Sequence, residues 1–86
     1  MRSTHSSRYK EFLKRLRAAR REAGLTQVAV ARRLGQPQSF MSKCETGERR
    51  LDIVELSDLA ELYGKPLAYF VSVAKRRGKR ATGRRT

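Results

Sequence analysis

Apolar residues recur at helical spacing in successive stretches of this 86-residue chain, and glycine or proline punctuates each stretch. In the first, Tyr9, Phe12, Leu13, Leu16, Ala19 and Ala23 fall on one helical face, the period expected of a helix that buries one side. Ser6 or Ser7 can cap its start, because a short polar side chain accepts from the unpaired N–H groups of the first turn. Gly24 marks its end. Thr26 opens a second helix with Val30, Ala31 and Leu34 turned inward, and Gly35 stops it, since glycine enters a left-handed cap without strain. Pro37 blocks continuation and suits the start of a third helix, from Gln38 to Thr46. Asp52 caps a fourth that carries Ile53, Val54, Leu56, Leu59, Ala60, Leu62 and Tyr63 as far as Gly64. Pro66 opens a short fifth, with Leu67, Phe70, Val71 and Ala74 as its stripe and Tyr69 and Val73 left outside. No stretch reads convincingly as a strand, so the fold class is all-α.

Two short helices around a tight turn, Leu25 to Gly47, stand at the centre of this pattern. At about 100° per residue along the third helix, Phe40, Met41 and Cys44 gather in an apolar arc. Gln38, Ser39, Ser42, Lys43 and Thr46 gather in a polar one. The polar arc offers amide, hydroxyl and ammonium groups and no carboxylate. Such groups suit base edges and phosphates in the major groove, where glutamine can pair with adenine through two hydrogen bonds. A solvated face of any short surface helix would look the same. Phe40 fits the core, a thymine-methyl contact or a partner surface.

Two charges break the amphipathic pattern. Arg20 lies beside the apolar stripe of the first helix, and Glu45 borders the inward arc of the third. Pairing the two would compensate partly buried charges. Arg8, Lys10, Lys14, Arg15, Arg17 and Arg21 are read as a solvated face.

The formal net charge of +13 is concentrated at the ends. Lys75, Arg76, Arg77, Lys79, Arg80, Arg84 and Arg85 crowd the last residues, and Arg2, Arg8 and Lys10 the first. Basic tails favour polyanions. The tail has only Ala81 as an apolar residue after Lys75, which disfavours a membrane anchor and favours nucleic acid. The expected organisation is a flexible arm at 1–7, a domain at 8–74 of marginal core size, and a basic flexible tail at 75–86. Asp52, Glu55, Asp58 and Glu61 stripe the fourth helix, a face that phosphates would repel.

A single cysteine excludes an internal disulfide and a cysteine-based zinc cluster. Cys44 on the inward arc reads as a small buried hydrophobe, and His5 has no second ligand near it. There is no nucleophile–base–acid set, glycine-rich phosphate loop or inward carboxylate pair. The expectation is no enzyme activity, no cofactor and no metal. Without a membrane-length apolar run or signal-peptide core, a cytoplasmic, nucleoid-associated setting is expected.

The order of motifs then becomes informative. Leu16-Arg17-x-x-Arg20, Gly24-Leu25-Thr26-Gln27, Ala31-x-x-Leu34-Gly35 and Gln38-Ser39-x-x-Ser42-Lys43-x-Glu45-x-Gly47 together resemble the phage repressor and Cro-like helix-turn-helix family, also called XRE-type. The resemblance spans roughly Phe12 to Phe70. It implies a compact five-helix bundle, its third helix in the major groove of double-stranded DNA, and a homodimer on a palindromic site. By position it implies that Gln38, Ser39, Ser42 and Lys43 face bases, with Ser42 and Lys43 able to reach the backbone too. It implies that Gln27, Arg49 and Arg50 meet phosphates, and that Arg20 and Glu45 form a structural ion pair. Pro37, Val28 and Phe40 depart from the usual residues. The reading is a DNA-binding transcriptional regulator, a repressor by occupancy. The rivals are an antitoxin or coactivator that holds a partner protein, and a sequence-independent nucleic-acid binder driven by its tails.

Overall fold

The structure is a computed structural model, and it describes residues 6–71. The tail read at 75–86, Val73, Ala74 and most of the amino-terminal arm lie outside the described residues. Five helices follow in order: α1 Ser7–Glu22, α2 Gln27–Leu34, α3 Gln38–Thr46, α4 Ile53–Tyr63 and α5 Leu67–Phe70. There is no strand among the described residues.

Local chemistry sets the boundaries. Ser6 Oγ accepts from Tyr9 N–H, and Thr26 Oγ1 accepts from Ala29 N–H. Asp52 and Glu55 form a reciprocal capping box at α4, which satisfies two free amide donors at once. Pro37 is the N-cap of α3 and supplies no side-chain hydrogen bond there. Gly35 takes φ 70° and its N–H reaches Arg32 O, closing α2 before the turn into α3; a β-carbon in that backbone conformation would be strained.

The core gathers one stripe from each helix. Leu16 and Ala19 of α1, Val30 of α2, Met41 and Cys44 of α3 and Leu59 of α4 have no exposed surface, and Phe70 closes the far side. α2 packs on α3, while α1 touches α3, α4 and α5. α1 is therefore the spine against which the α2–α3 unit is held.

Three expectations about apolar positions need correction. Ile53 and Val54 are each 65% exposed. The buried stripe of α4 is Leu56, Leu59, Ala60 and Tyr63; at about 100° per residue Val54 falls opposite that stripe and Ile53 at its edge. The described α5 is a single turn, so its stripe reduces to Phe70; Val71 leaves helical geometry and is exposed, as is Leu67. Tyr69 is half-buried against the core rather than left outside. Arg15 Nη1 donates to its carbonyl at 2.9 Å, and the Lys65 ammonium lies 4.7 Å from its ring centroid.

Tyr63 is buried, and its hydroxyl has no hydrogen-bond partner among the described residues. Burial, reinforced by the nearby Glu45 charge, pushes its pKa far up, so the group stays neutral. An unsatisfied buried hydroxyl is costly. Tyr63→Phe should therefore stabilise the fold by about 1 kcal/mol and raise the melting temperature by about 4–8 °C. A fall in melting temperature would show that the hydroxyl is satisfied in solution.

Candidate nucleic-acid interface

Gln27 opens α2 and Gln38 opens α3, and the tight turn at Gly35 brings these two helix starts together. Gln38, Ser39, Lys43 and Thr46 are exposed and Ser42 is half-buried. On the opposite side of α3, Phe40, Met41, Cys44 and Glu45 are buried. The polar arc is thus presented outward by a helix whose other face is locked into the core.

A continuous polar chain runs beneath this surface. Arg20 Nε lies 2.6 Å from Glu45 Oε2, and Arg20 Nη2 lies 3.1 Å from Oε1. The Glu45 side chain is 1% exposed and that of Arg20 11%, so the pair is held inside, not at the rim. The hydrogen bond to Glu45 strengthens the hold of Arg20 on its proton. Arg20 Nη1 also donates to Leu25 O at 3.0 Å, which ties the α1–α2 corner to the same pair. Gln27 Nε2 then donates to Glu45 Oε1 at 2.9 Å, and Gln38 Nε2 donates to Gln27 Oε1 at 2.8 Å. Gln27, read from the resemblance as a phosphate contact, is therefore engaged with Glu45 and Gln38 and keeps one amide N–H in reserve.

The loop after α3 is organised by ion pairing and ring stacking. Arg49 forks onto Glu55 with two 3.0 Å hydrogen bonds and lies 4.7 Å from the Phe40 ring centroid. That contact holds the Glu55 carboxyl below the usual carboxylate range, aided by Asp52 N–H. Arg50 lies 4.5 Å from the Tyr9 ring centroid. Both guanidiniums remain on the exposed side of the loop, as cations over aromatic faces. Phe40 is accordingly a core-edge residue, 9% exposed, roofed by Arg49. Glu55, one residue of the acidic stripe of α4, is thus paired with Arg49 of the loop after α3.

Two arginines read as solvated have structural roles. Arg17 Nη1 donates to Glu45 O at 3.0 Å, near the carboxyl end of α3, where a cation is favoured. Arg15 joins α1 to α5 as described. The signal for Arg17 was its place one turn before Arg20, on the same side of α1.

Cys44 is buried and burial raises its thiol pKa, with Arg49 opposing. A thiol so placed forms little thiolate and is a poor nucleophile. No cluster of metal-ligating side chains occurs among the described residues, and no described helix is long and apolar enough to cross a membrane.

Known proteins share this arrangement. Residues 11–68 match a family described as a helix-turn-helix domain. Among solved structures, an XRE-family like protein from Pseudomonas syringae pv. tomato str. DC3000 is 43% identical and superposes with a TM-score of 0.71. The match covers 81% of this chain and 85% of that one. No curated protein matches the chain.

Proposed function

The chain belongs to the XRE-type helix-turn-helix family of DNA-binding regulators, and from that premise we propose that it is a repressor reading a palindromic operator as a homodimer. The observation that carries the proposal is the outward polar arc of α3, a carboxylate-free surface on a helix whose opposite side is buried. Gln38 and Ser39, at the start of α3, are assigned to base edges. Ser42 and Lys43 reach bases or the sugar-phosphate edge. Gln27, Arg49 and Arg50 are assigned to the backbone, which fixes register without carrying sequence information. Arg49 would exchange Glu55 for phosphate.

Occupancy of the operator is the mode of repression in this reading, which includes no enzymatic step. A second copy would set two α3 helices one helical turn apart on the duplex. Sedimentation of the chain with operator DNA reads this directly: a one-to-one complex at high concentration contradicts the dimer. The basic tail adds counterion-release affinity. Removing 75–86 should weaken all duplexes alike and flatten the salt dependence, and unchanged affinity would deny it a role.

Gln38→Ala should cost about 1–3 kcal/mol against the cognate duplex and relax discrimination at one base pair. Equal losses on cognate and random DNA, measured by titration at one salt concentration, would contradict a base-reading Gln38. Comparable wild-type affinity for random duplexes would instead favour the charge-driven rival. Copurification with a second protein would favour an antitoxin-like or coactivator role.

A further inference from the structure

We propose that the outer edge of α1, formed by Lys10, Lys14, Arg17 and Arg21, is a second DNA contact: a track for the phosphates that flank the bases met by α3. The proposal rests on the reading of α3 as the DNA-facing helix.

Its first ground is a segregation of charge around α1. At about 100° per residue these four cations fall within about 60° of one another, and Glu11, Arg15 and Glu22 fall on a separate edge. The acid-bearing edge is paired within the domain. Arg15 bonds Glu11 and the Tyr69 carbonyl, and Glu22 takes Lys65 at 2.8 Å. On the cationic edge Lys10, Lys14 and Arg21 are exposed and Arg17 is half-buried. One carboxylate touches that edge: Glu11 lies 3.9 Å from the Lys14 ammonium, whose side chain is 72% exposed, a contact worth little in water. Among the described residues, Lys10, Arg17 and Arg21 pair with no carboxylate.

The second ground is where this edge sits. Arg17 Nη1 donates to Glu45 O at 3.0 Å. The middle of the stripe is therefore set against the carboxyl end of α3, the end that carries exposed Lys43 and Thr46. At the start of α1, Tyr9 lies 4.5 Å from Arg50 of the loop after α3. The helix that bears the stripe thus touches both elements assigned to the duplex. From Lys10 to Arg21 the stripe spans about 16 Å at 1.5 Å per residue. That is the axial length of about five phosphates of one strand, at 3.4 Å each. The stripe holds no large apolar side chain, which fits a continuous polyanion and gives a membrane nothing to anchor.

The test uses the full chain and a motif that the wild type enriches from a random library. Two duplexes carry it, one trimmed to the motif and one extended by about ten base pairs, one helical turn, on each side. The wild type is expected to bind the extended duplex more tightly. Three phosphate contacts should steepen its salt slope by about 2.7, so the advantage shrinks about 40-fold from about 50 to about 200 mM salt. Lys10→Gln/Lys14→Gln/Arg21→Gln leaves Arg17 in place against α3. It should keep its affinity for the trimmed duplex and lose the advantage of the extended one. Arg8→Gln/Arg32→Gln/Arg33→Gln removes the same charge from other exposed positions and should keep that advantage.

Equal wild-type affinity for the two lengths overturns the proposal. So does an advantage that survives in the first triple variant, which assigns it to another part of the chain, or one lost equally in both triple variants, which makes it an effect of net charge. A first triple variant defective only in joining two duplexes would place a second DNA molecule on the stripe and overturn the flanking contact. Gln38→Ala should lose the motif preference and retain the length advantage. Failure of base reading by α3 is thus told apart from failure of the α1 track.

Discussion

Glu45→Ala is expected to destabilise the fold by about 3 kcal/mol, the lower end of the cost of breaking a buried pair from one side. The change removes the acceptor of two Arg20 bonds and the anchor of Gln27. It leaves the Arg20 guanidinium beside the core, its side chain 11% exposed and its only remaining described partner the Leu25 carbonyl. The cost is that of an uncompensated charge more than that of a lost bond. In a domain of this size the melting temperature should fall by about 12 °C or more. Glu61 on α4 is exposed, and Glu61→Ala should stay within about 0.5 kcal/mol of the parent. Thermal melts of the two variants decide the matter. Equal shifts would mean that the pair contributes no more than a surface contact.

Phe70→Ala should cost about 3–5 kcal/mol, the range for deleting a buried aromatic side chain. Phe70 is 1% exposed and is the one residue of α5 that is buried. The helix has a single turn and no side-chain cap, so its place depends on this ring and on Arg15, which donates to the Tyr69 carbonyl. A domain near the lower size limit has a total stability of about 5 kcal/mol, so the variant should be largely unfolded at moderate urea. Leu67→Ala, at a site 38% exposed, provides the comparison and should shift the urea midpoint little. Similar midpoints for the two would mean that α5 is not part of the cooperative unit.

What could be read in the sequence was largely local. Ser6, Thr26 and Asp52 before apolar periods, with Gly35 and Gly64 after them, delimit helices through interactions within four residues. The all-α class and the helix-turn-helix follow from these signals. The outward arc of α3 was also readable, because helix geometry fixes which residues share a face. Ile53 and Val54 show the limit. They belong to an apolar helix, but being apolar does not place a residue on the buried face: Val54 lies opposite the stripe of Leu56, Leu59, Ala60 and Tyr63, and Ile53 at its edge. Val71 fails for a related reason: the i, i+4 relation to Leu67 holds only while the backbone stays helical, and it leaves that state at Val71.

The polar contacts beneath the site were harder to see. Gln27 and Gln38 are eleven positions apart, and no periodicity joins them. Their contact depends on the angle that Gly35 sets between α2 and α3. Arg15 and Arg17 looked like ordinary solvent-facing residues because α1 offers several. Only the placement of Tyr69 and of the α3 end opposite them gives each a backbone carbonyl. The guanidiniums of Arg49 and Arg50 met aromatic rings for the same reason, through folding of the loop onto Phe40 and Tyr9.

The central claim, that α3 reads a particular DNA sequence, is tested most directly by selection from a random duplex library at about 0.15 M salt, near physiological ionic strength. The control is the Gln38→Ala/Ser39→Ala double variant, confirmed as folded by its melt. The account predicts that the wild type enriches a palindromic motif and that the control does not. A wild-type selection without any enriched motif, or a motif that survives in the control, would contradict it.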